Sequence, residues 1–453
     1  MKKALYLVIA LMAILPAAVL AQVSYDTGIL IQNVGTADAN VTVYYYNSAD
    51  DGGGLNSSVD YVIGMGESLT IYPVDPAAPF NGSVVIESTE PIVAIANELG
   101  DYPTYGASYE GFELGSQAVV LPNIQSDNAG FYSWFNVQNA GTGVANVTVS
   151  FTAEPGGGYG TRADETCTLD PGEACTFTQE GGQGNWTDGA WVGGAKITAN
   201  ENVVASANIV HGPGTFGMSS YSGFTGAGSA TAILPNIMNA NADYWSGINV
   251  TNGGLAATNI TLSFAPEAGY PAIADIVFSG VGAGETIVQL MPAATSATWV
   301  GSVEVDGGGQ NVFVIVNTLN TVAGEVAAWK GFDPATATDT VVMPAILSDG
   351  EGYPFFTGFQ VVNLEASGST DITVDYGANT GGSYNPADEY ATIPAGGSVV
   401  MLQSGGTWAG SKYIGSATIT NNDGAPMLAI VNEIAPSLFA TGEATNSYNA
   451  FNQ

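Results

Sequence analysis

Four times along this chain the same phrase recurs: an alternating apolar run ending on Asn, a second such run, a Gly turn, a Gly pair, and a β-branched run reaching another Asn. The first set of closing residues is Asn33, Asn139, Asn252 and Asn363; the second is Asn97, Asn208, Asn317 and Asn432. A sequence that repeats at a fixed period folds as a series of like units.

The unit is made of strands. Ile29-Leu30-Ile31-Gln32-Asn33, Phe135-Asn136-Val137-Gln138-Asn139, Ile248-Asn249-Val250-Thr251-Asn252 and Phe359-Gln360-Val361-Val362-Asn363 carry apolar side chains at alternate positions, the period of a half-buried strand. A second alternating run follows in each copy, as in Val41-Thr42-Val43-Tyr44-Tyr45 and Ile260-Thr261-Leu262-Ser263-Phe264. Gly66-Glu67, Gly172-Glu173, Gly284-Glu285 and Gly396-Gly397 then mark a shared turn before another strand. About seven short strands in about 110 residues, with no helical period, predict an all-β chain of four tandem immunoglobulin-like antiparallel β-sandwich domains. The expected spans are 22–117, 118–230, 231–338 and 339–453, preceded by a signal peptide over 1–21. The repeated Asn residues fall at strand ends in this reading, where an Asn side chain satisfies loop backbone groups.

Between copies lie Leu121-Pro122-Asn123-Ile124, Leu234-Pro235-Asn236-Ile237 and Met343-Pro344-Ala345-Ile346. These are too apolar for tethers and read as edge strands or close-packed connectors, since Pro is tolerated at sheet edges. Three segments serve four copies, so either the first copy or the last is short of a strand. Either that terminal domain closes with fewer strands, or it leaves an open edge where another subunit's terminus adds a strand.

Lys2 and Lys3, an apolar stretch from Ala4 to about Leu20, and the small-residue site Val19-Leu20-Ala21 form an export signal. Its removal leaves Arg162, Lys196, Lys330 and Lys412 against 41 acids, a formal charge of 4 − 41 = −37. That balance excludes nucleic acid and charge-driven adhesion to anionic membranes. Charged residues are nevertheless 10% of the chain and hydrophobic ones 46%, which separates it from disordered acidic tails. No membrane insertion is expected once the signal is removed. Cys167 and Cys175 flank the turn Asp170-Pro171-Gly172-Glu173, and in an exported protein they read as a cross-strand disulfide pinning one hairpin.

The Asn-Gly turn between two strands followed by a Gly-Glu turn, as in Val250-Thr251-Asn252-Gly253 through Gly284-Glu285-Thr286, resembles the immunoglobulin-like repeats of bacterial surface proteins, including the cell-adhesion-related domains called CARDB. The resemblance implies a secreted adhesive or structural role and carries no catalytic residues.

Catalytic chemistry has little to stand on. His211 is the single histidine, so any triad would rest on it, and no phosphate loop or HExxH helix is present in a credible setting. No cofactor is expected. Acidic turns such as Asp50-Asp51, Asp306, Asp349-Gly350-Glu351 and Asn421-Asn422-Asp423-Gly424 have oxygen ligands of the kind calcium takes but not its loop spacing. Asn-x-Ser/Thr sequons stand at Asn40, Asn56, Asn81, Asn146, Asn185, Asn249 and Asn259. The sequence therefore predicts a non-catalytic extracellular or cell-surface protein that self-associates: a rod of domains serving as the subunit of a filament, sheath, surface layer or stalk. The alternative is a glycan- or cell-wall-binding adhesion module. Trp134, Trp186, Trp245 and Trp408 discriminate between them: aligned on one exposed face they favour sugar stacking, buried between copies they favour structure.

Overall fold

The computed structural model describes residues 5–10, 25–72, 74, 80–100, 105–182, 184–187, 189–211, 217–320, 322, 324–348, 355–378, 385–404, 406–408, 412–434 and 445–453. The chain is nearly all β and its sheets are antiparallel. Among the described residues the first and third copies contribute eight strands each where about seven were expected; in the second the sixth and seventh run together as Trp191–His211, and the fourth adds Phe451–Asn452 as a ninth. In the third copy these are Thr231–Asn239, Tyr244–Asn252, Thr258–Pro266, Ile276–Val281, Thr286–Leu290, Trp299–Asp306, Val312–Asn320 and Glu325–Lys330. They form two sheets, of order 1-6-3-4 and 5-2-7-8 in the copy's own strand sequence, and the first copy has the same order.

Alternation explains how the two sheets meet. Along Ala39–Asn47 the side chains of Val41, Val43 and Tyr45 are buried while Asn40 is exposed. The inward residues meet Ile29, Ile31, Ala94 and Ala96 of the opposite sheet in one apolar cluster. Each of the other copies has its own such cluster. Gly66, Gly172, Gly284 and Gly396 all take positive φ, which is why the turn leading into the fifth strand requires glycine in every copy.

The seventh strands break the alternation. Val312–Asn320 is buried at every residue, and Ile92–Ala96 and Met427–Val431 are equally closed to solvent. A strand buried on both faces reads as a continuous apolar run because a second layer covers its outer side. Here that layer is the neighbouring copy. Ile315 of the third copy inserts into the core cluster of the second, Ile430 of the fourth into that of the third, and Ile95 of the first into that of the fourth. Between first and second copies the junction is mixed: Ala107 and Tyr25 pack with Trp134, Val210 and Met218, while Gln138 Nε2 donates to the Val84 carbonyl at 3.4 Å and the Gly54 N–H donates to Glu173 Oε1 at 2.6 Å.

The eighth strands complete the circuit. Tyr105–Glu110 lies against Met218–Ser222, that strand against Glu325–Lys330, that one against Thr445–Asn449, and Thr445–Asn449 returns to Tyr105–Glu110. The expected extended rod is thus corrected to a closed ring: apolar outer faces of the 5-2-7-8 sheets would be left in water by a linear arrangement and are covered when the fourth copy packs on the first.

Candidate functional site

The repeated asparagines do two different jobs. Asn33, Asn139, Asn252 and Asn363 end their strands. Asn252 Nδ2 donates to the Ala256 and Val281 carbonyls at 2.9 Å each, while its Oδ1 accepts the Gly254 N–H at 2.9 Å. Asn33 and Asn139 make the same set, and Asn363 bonds to the Ile393 carbonyl and the Glu365 N–H. Since Val281 ends a strand of the opposite sheet, this side chain ties the two sheets at one end.

Asn97, Asn208, Asn317 and Asn432 are not at strand ends as the sequence suggested. They lie within Ile92–Gly100, Trp191–His211, Val312–Asn320 and Met427–Ile434. Each pairs across the ladder with an eighth-strand residue: Ser108, Ser220, Ala328 and Ser447 respectively. The three serines donate to the Oδ1 of their asparagines, Ser108 at 2.7 Å and Ser447 at 2.6 Å.

The eighth strand itself carries a motif that the search for repeats missed: Tyr109-Glu110-Gly111-Phe112, Tyr221-Ser222-Gly223-Phe224, Trp329-Lys330-Gly331-Phe332 and Tyr448-Asn449-Ala450-Phe451. The aromatic is fully or almost fully buried in its own copy. The Tyr221 hydroxyl donates to the Asn123 carbonyl at 2.8 Å and accepts the Asn123 N–H at 3.2 Å; Tyr448 treats Ala345 likewise at 2.6 and 3.3 Å. Those partners follow Pro122 and Pro344. Leu121, Pro122 and Ile124, Leu234, Pro235 and Ile237, and Met343, Pro344 and Ile346 therefore belong to the first strands of copies two to four, buried, with a bulge at each proline. A proline at a sheet edge opens the ladder, and in the second and fourth copies the tyrosine hydroxyl closes the backbone groups it strands.

One residue past the aromatic, Glu110, Ser222, Lys330 and Asn449 meet where the copies converge. Glu110 Oε2 pairs with Lys330 Nζ at 3.3 Å and its Oε1 accepts the Asn449 N–H at 2.7 Å. Asn449 Oδ1 accepts the Lys330 N–H at 2.9 Å, its Nδ2 donates to the Lys330 carbonyl at 2.7 Å, and Ser222 Oγ donates to the Glu110 carbonyl. Every copy supplies one member. Nearby, Glu433 accepts Asn97 Nδ2 at 3.2 and 3.1 Å on its two oxygens, and burial pushes its carboxyl up to about 7. Burial also holds Glu98 well above the carboxylate range, against the hydrogen bonds of Ser220 and Tyr109. Two raised acids in the junction of copies mean that closing the ring costs ionisation energy near neutral pH.

Cys167 and Cys175 are bonded to each other, but not as a pin within one hairpin. Glu165–Leu169 pairs with Ala145–Ala153 and Ala174–Thr178 with Phe131–Asn139, at the two ends of a seven-stranded sheet that the long strand Trp191–His211 carries from one layer to the other. The disulfide is a staple between layers. His211 is engaged with Phe131 at a centroid distance of 4.7 Å, and its Nε2 lies 3.1 Å from the Ala129 carbonyl, so it stands in no catalytic array among the described residues. No group of three or more metal-ligating side chains gathers among the described residues. Asp51, Asp306 and Asp423 accept hydrogen bonds from Asn81, Gly308 and Asp371 instead, and Asp349-Gly350-Glu351 lies outside the described residues. Trp134, Trp186 and Trp408 are buried, so the four discriminating tryptophans do not share an exposed face; Trp134 packs 6.1 Å from Tyr25 of the first copy. Among the sequons, Asn249 is buried while Asn40, Asn146 and Asn259 are exposed.

The strand that the sequence leaves missing belongs to the first copy. The fourth has its first strand, Thr340–Ser348, and seals it with Phe451–Asn452. In the first copy, Leu5–Ala10 pairs antiparallel with Gly82–Ser88, Leu5 opposite Ser88 and Ala10 opposite Ser83, the place taken by Ser116–Ser126 beside the sixth strand of the second copy.

Among the described residues no helix is long and apolar enough to cross a membrane. No family model matches the chain, and no curated protein does. Among solved structures it is similar to "Crystal Structure of Thermotoga maritima 1070", with 11% identity and a TM-score of 0.21, over 25% of this chain and 96% of that one. A likeness at that score carries no argument about fold or function.

Proposed function

We propose that this chain is a non-catalytic, exported structural protein, built of four tandem immunoglobulin-like sandwich domains behind a cleaved signal peptide, and that it is the subunit of a filament, sheath, surface layer or stalk at the cell exterior. The observation that carries this reading is the edge beside Gly82–Ser88. The segment lying there, Leu5–Ala10, is the heart of the export signal read from the sequence. Cleavage after Ala21 leaves Gln22, Val23 and Ser24 ahead of the strand Tyr25–Asn33, too few residues to cross to the vacated edge. Tyr109 adds weight to this: among the described residues its hydroxyl interacts with Glu98 and Ser206 rather than with a first strand, whereas Tyr221 and Tyr448 bond to their own first strands.

An unpaired edge over a buried core accepts a strand from another chain, so copies join through this edge. The test is to purify residues 22–453 and follow assembly by electron microscopy and sedimentation, with and without a peptide of the Leu5–Ala10 sequence. Polymers that the peptide dissolves are expected. A mature chain that stays monomeric at high concentration, with or without peptide, ends the proposal.

A further inference from the structure

A half-open cavity of about 510 Å3 lies at the junction of the second and third copies, within the range of small-molecule sites. The corresponding space between the fourth and first copies is about 90 Å3, with Tyr72 and Phe355 in its lining. Trp245, Leu290 and Leu319 line the larger cavity from the third copy, and Phe131 and Tyr159 from the second. In register with Trp245 the other copies carry Asp26, Tyr132 and Phe356, so the indole is particular to the third copy.

Asn317 makes this cavity more than a packing gap. It is 8% exposed, it lines the space, and its Oδ1 has no hydrogen-bond partner. The reason is a single difference between repeats: the eighth-strand serine that bonds this asparagine elsewhere is Ala328 here. A buried carbonyl oxygen without a donor costs roughly 1–3 kcal/mol, and a ligand hydroxyl placed there removes that cost. Asn249 adds a further amide, able to donate and accept, to the same lining, and Gln125, already bonded to Asn123 and Asn128, borders it.

The lining contains no Lys or Arg and one carboxylate, Glu154, which disfavours phosphates and carboxylates. An aromatic platform faced by amides suits a ring with an apolar C–H face and hydroxyl edges. We propose that this cavity binds a neutral sugar, its ring against Trp245 and its hydroxyls on Asn317 and Asn249. The site is independent of the polymer edge, so its failure leaves the structural proposal standing.

Calorimetric titration of the mature chain with glucose, galactose, N-acetylglucosamine, maltose and cellobiose tests it. At least one sugar should bind saturably. Ala328→Ser, which restores the serine of the other copies and so occupies Asn317, should weaken binding about tenfold, the equivalent of about 1.4 kcal/mol. Trp245→Ala should abolish it, with melting confirming that both variants fold. Binding by none of the five sugars, binding indifferent to Ala328→Ser in a folded variant, or saturable uptake of tetramethylammonium in place of sugar each overturns the assignment.

Discussion

Replacing Glu433 by Gln isolates the electrostatic cost of closing the ring. Glu433 is buried, and each of its oxygens accepts from Asn97 of the first copy. Desolvation raises its pKa from the ordinary 4.5 to about 7, against the smaller pull of Asn97, Asn446 and Ser108. An acid raised in the folded state contributes stability fully below its unfolded pKa, and loses it as pH rises through the folded pKa, because the folded chain must then hold a desolvated charge. The interval from 4.5 to about 7 corresponds to about 3 kcal/mol. Gln keeps an acceptor for Asn97 and carries no charge, so it imitates the protonated acid at every pH. Urea unfolding across the pH range should find the two proteins within about 0.5 kcal/mol of each other near pH 4 and the Gln variant about 3 kcal/mol more stable near pH 8. Glu98 titrates in both proteins and cancels. A difference independent of pH, or a wild type that is the more stable near pH 8, would refute the reasoning.

Two further outcomes follow from the geometry. Changing both Cys167 and Cys175 to Ser should lower unfolding stability by about 2–3 kcal/mol, the loop-closure value for so short a span, and mass spectrometry under reducing and non-reducing conditions confirms the bond it removes. Asn252→Ala strips hydrogen bonds from Gly254, Ala256 and Val281 and should cost about 3 kcal/mol at about 1 kcal/mol per bond, read as a fall in urea midpoint with unchanged slope; a neutral result would mean that water replaces the clamp.

Much of the fold can be read from period alone. The alternating third strands, the Gly-Glu turns and the strand-ending Asn33, Asn139, Asn252 and Asn363 appear in the structure where their spacing puts them, because each reflects a local demand of the backbone, whereas the second strands, read as half-buried, are closed to solvent on both faces. The ring was also written in the sequence, in a form easily passed over: Val312-Phe313-Val314-Ile315-Val316 does not alternate, and a strand with two apolar faces needs two covers. What no spacing shows is the meeting of Glu110 with Lys330 or of Asn97 with Glu433, since copies are brought together by tertiary packing. The eighth strand hid behind linkers of varying length and its small polar residues, although Tyr/Trp-x-Gly/Ala-Phe repeats once per copy. Ala328 meant nothing until Asn317 was seen across from it.

Because the last copy completes the contacts of the first, manufacture of this molecule has a fixed final act. While the chain is synthesised, Leu30 and Ile95 must wait in water for Met343 and Phe359, which arrive hundreds of residues later. Any truncated product therefore ends with a sticky face at its beginning as well as at its break, and a cell making this protein needs either speed or a caretaker at that exposed start.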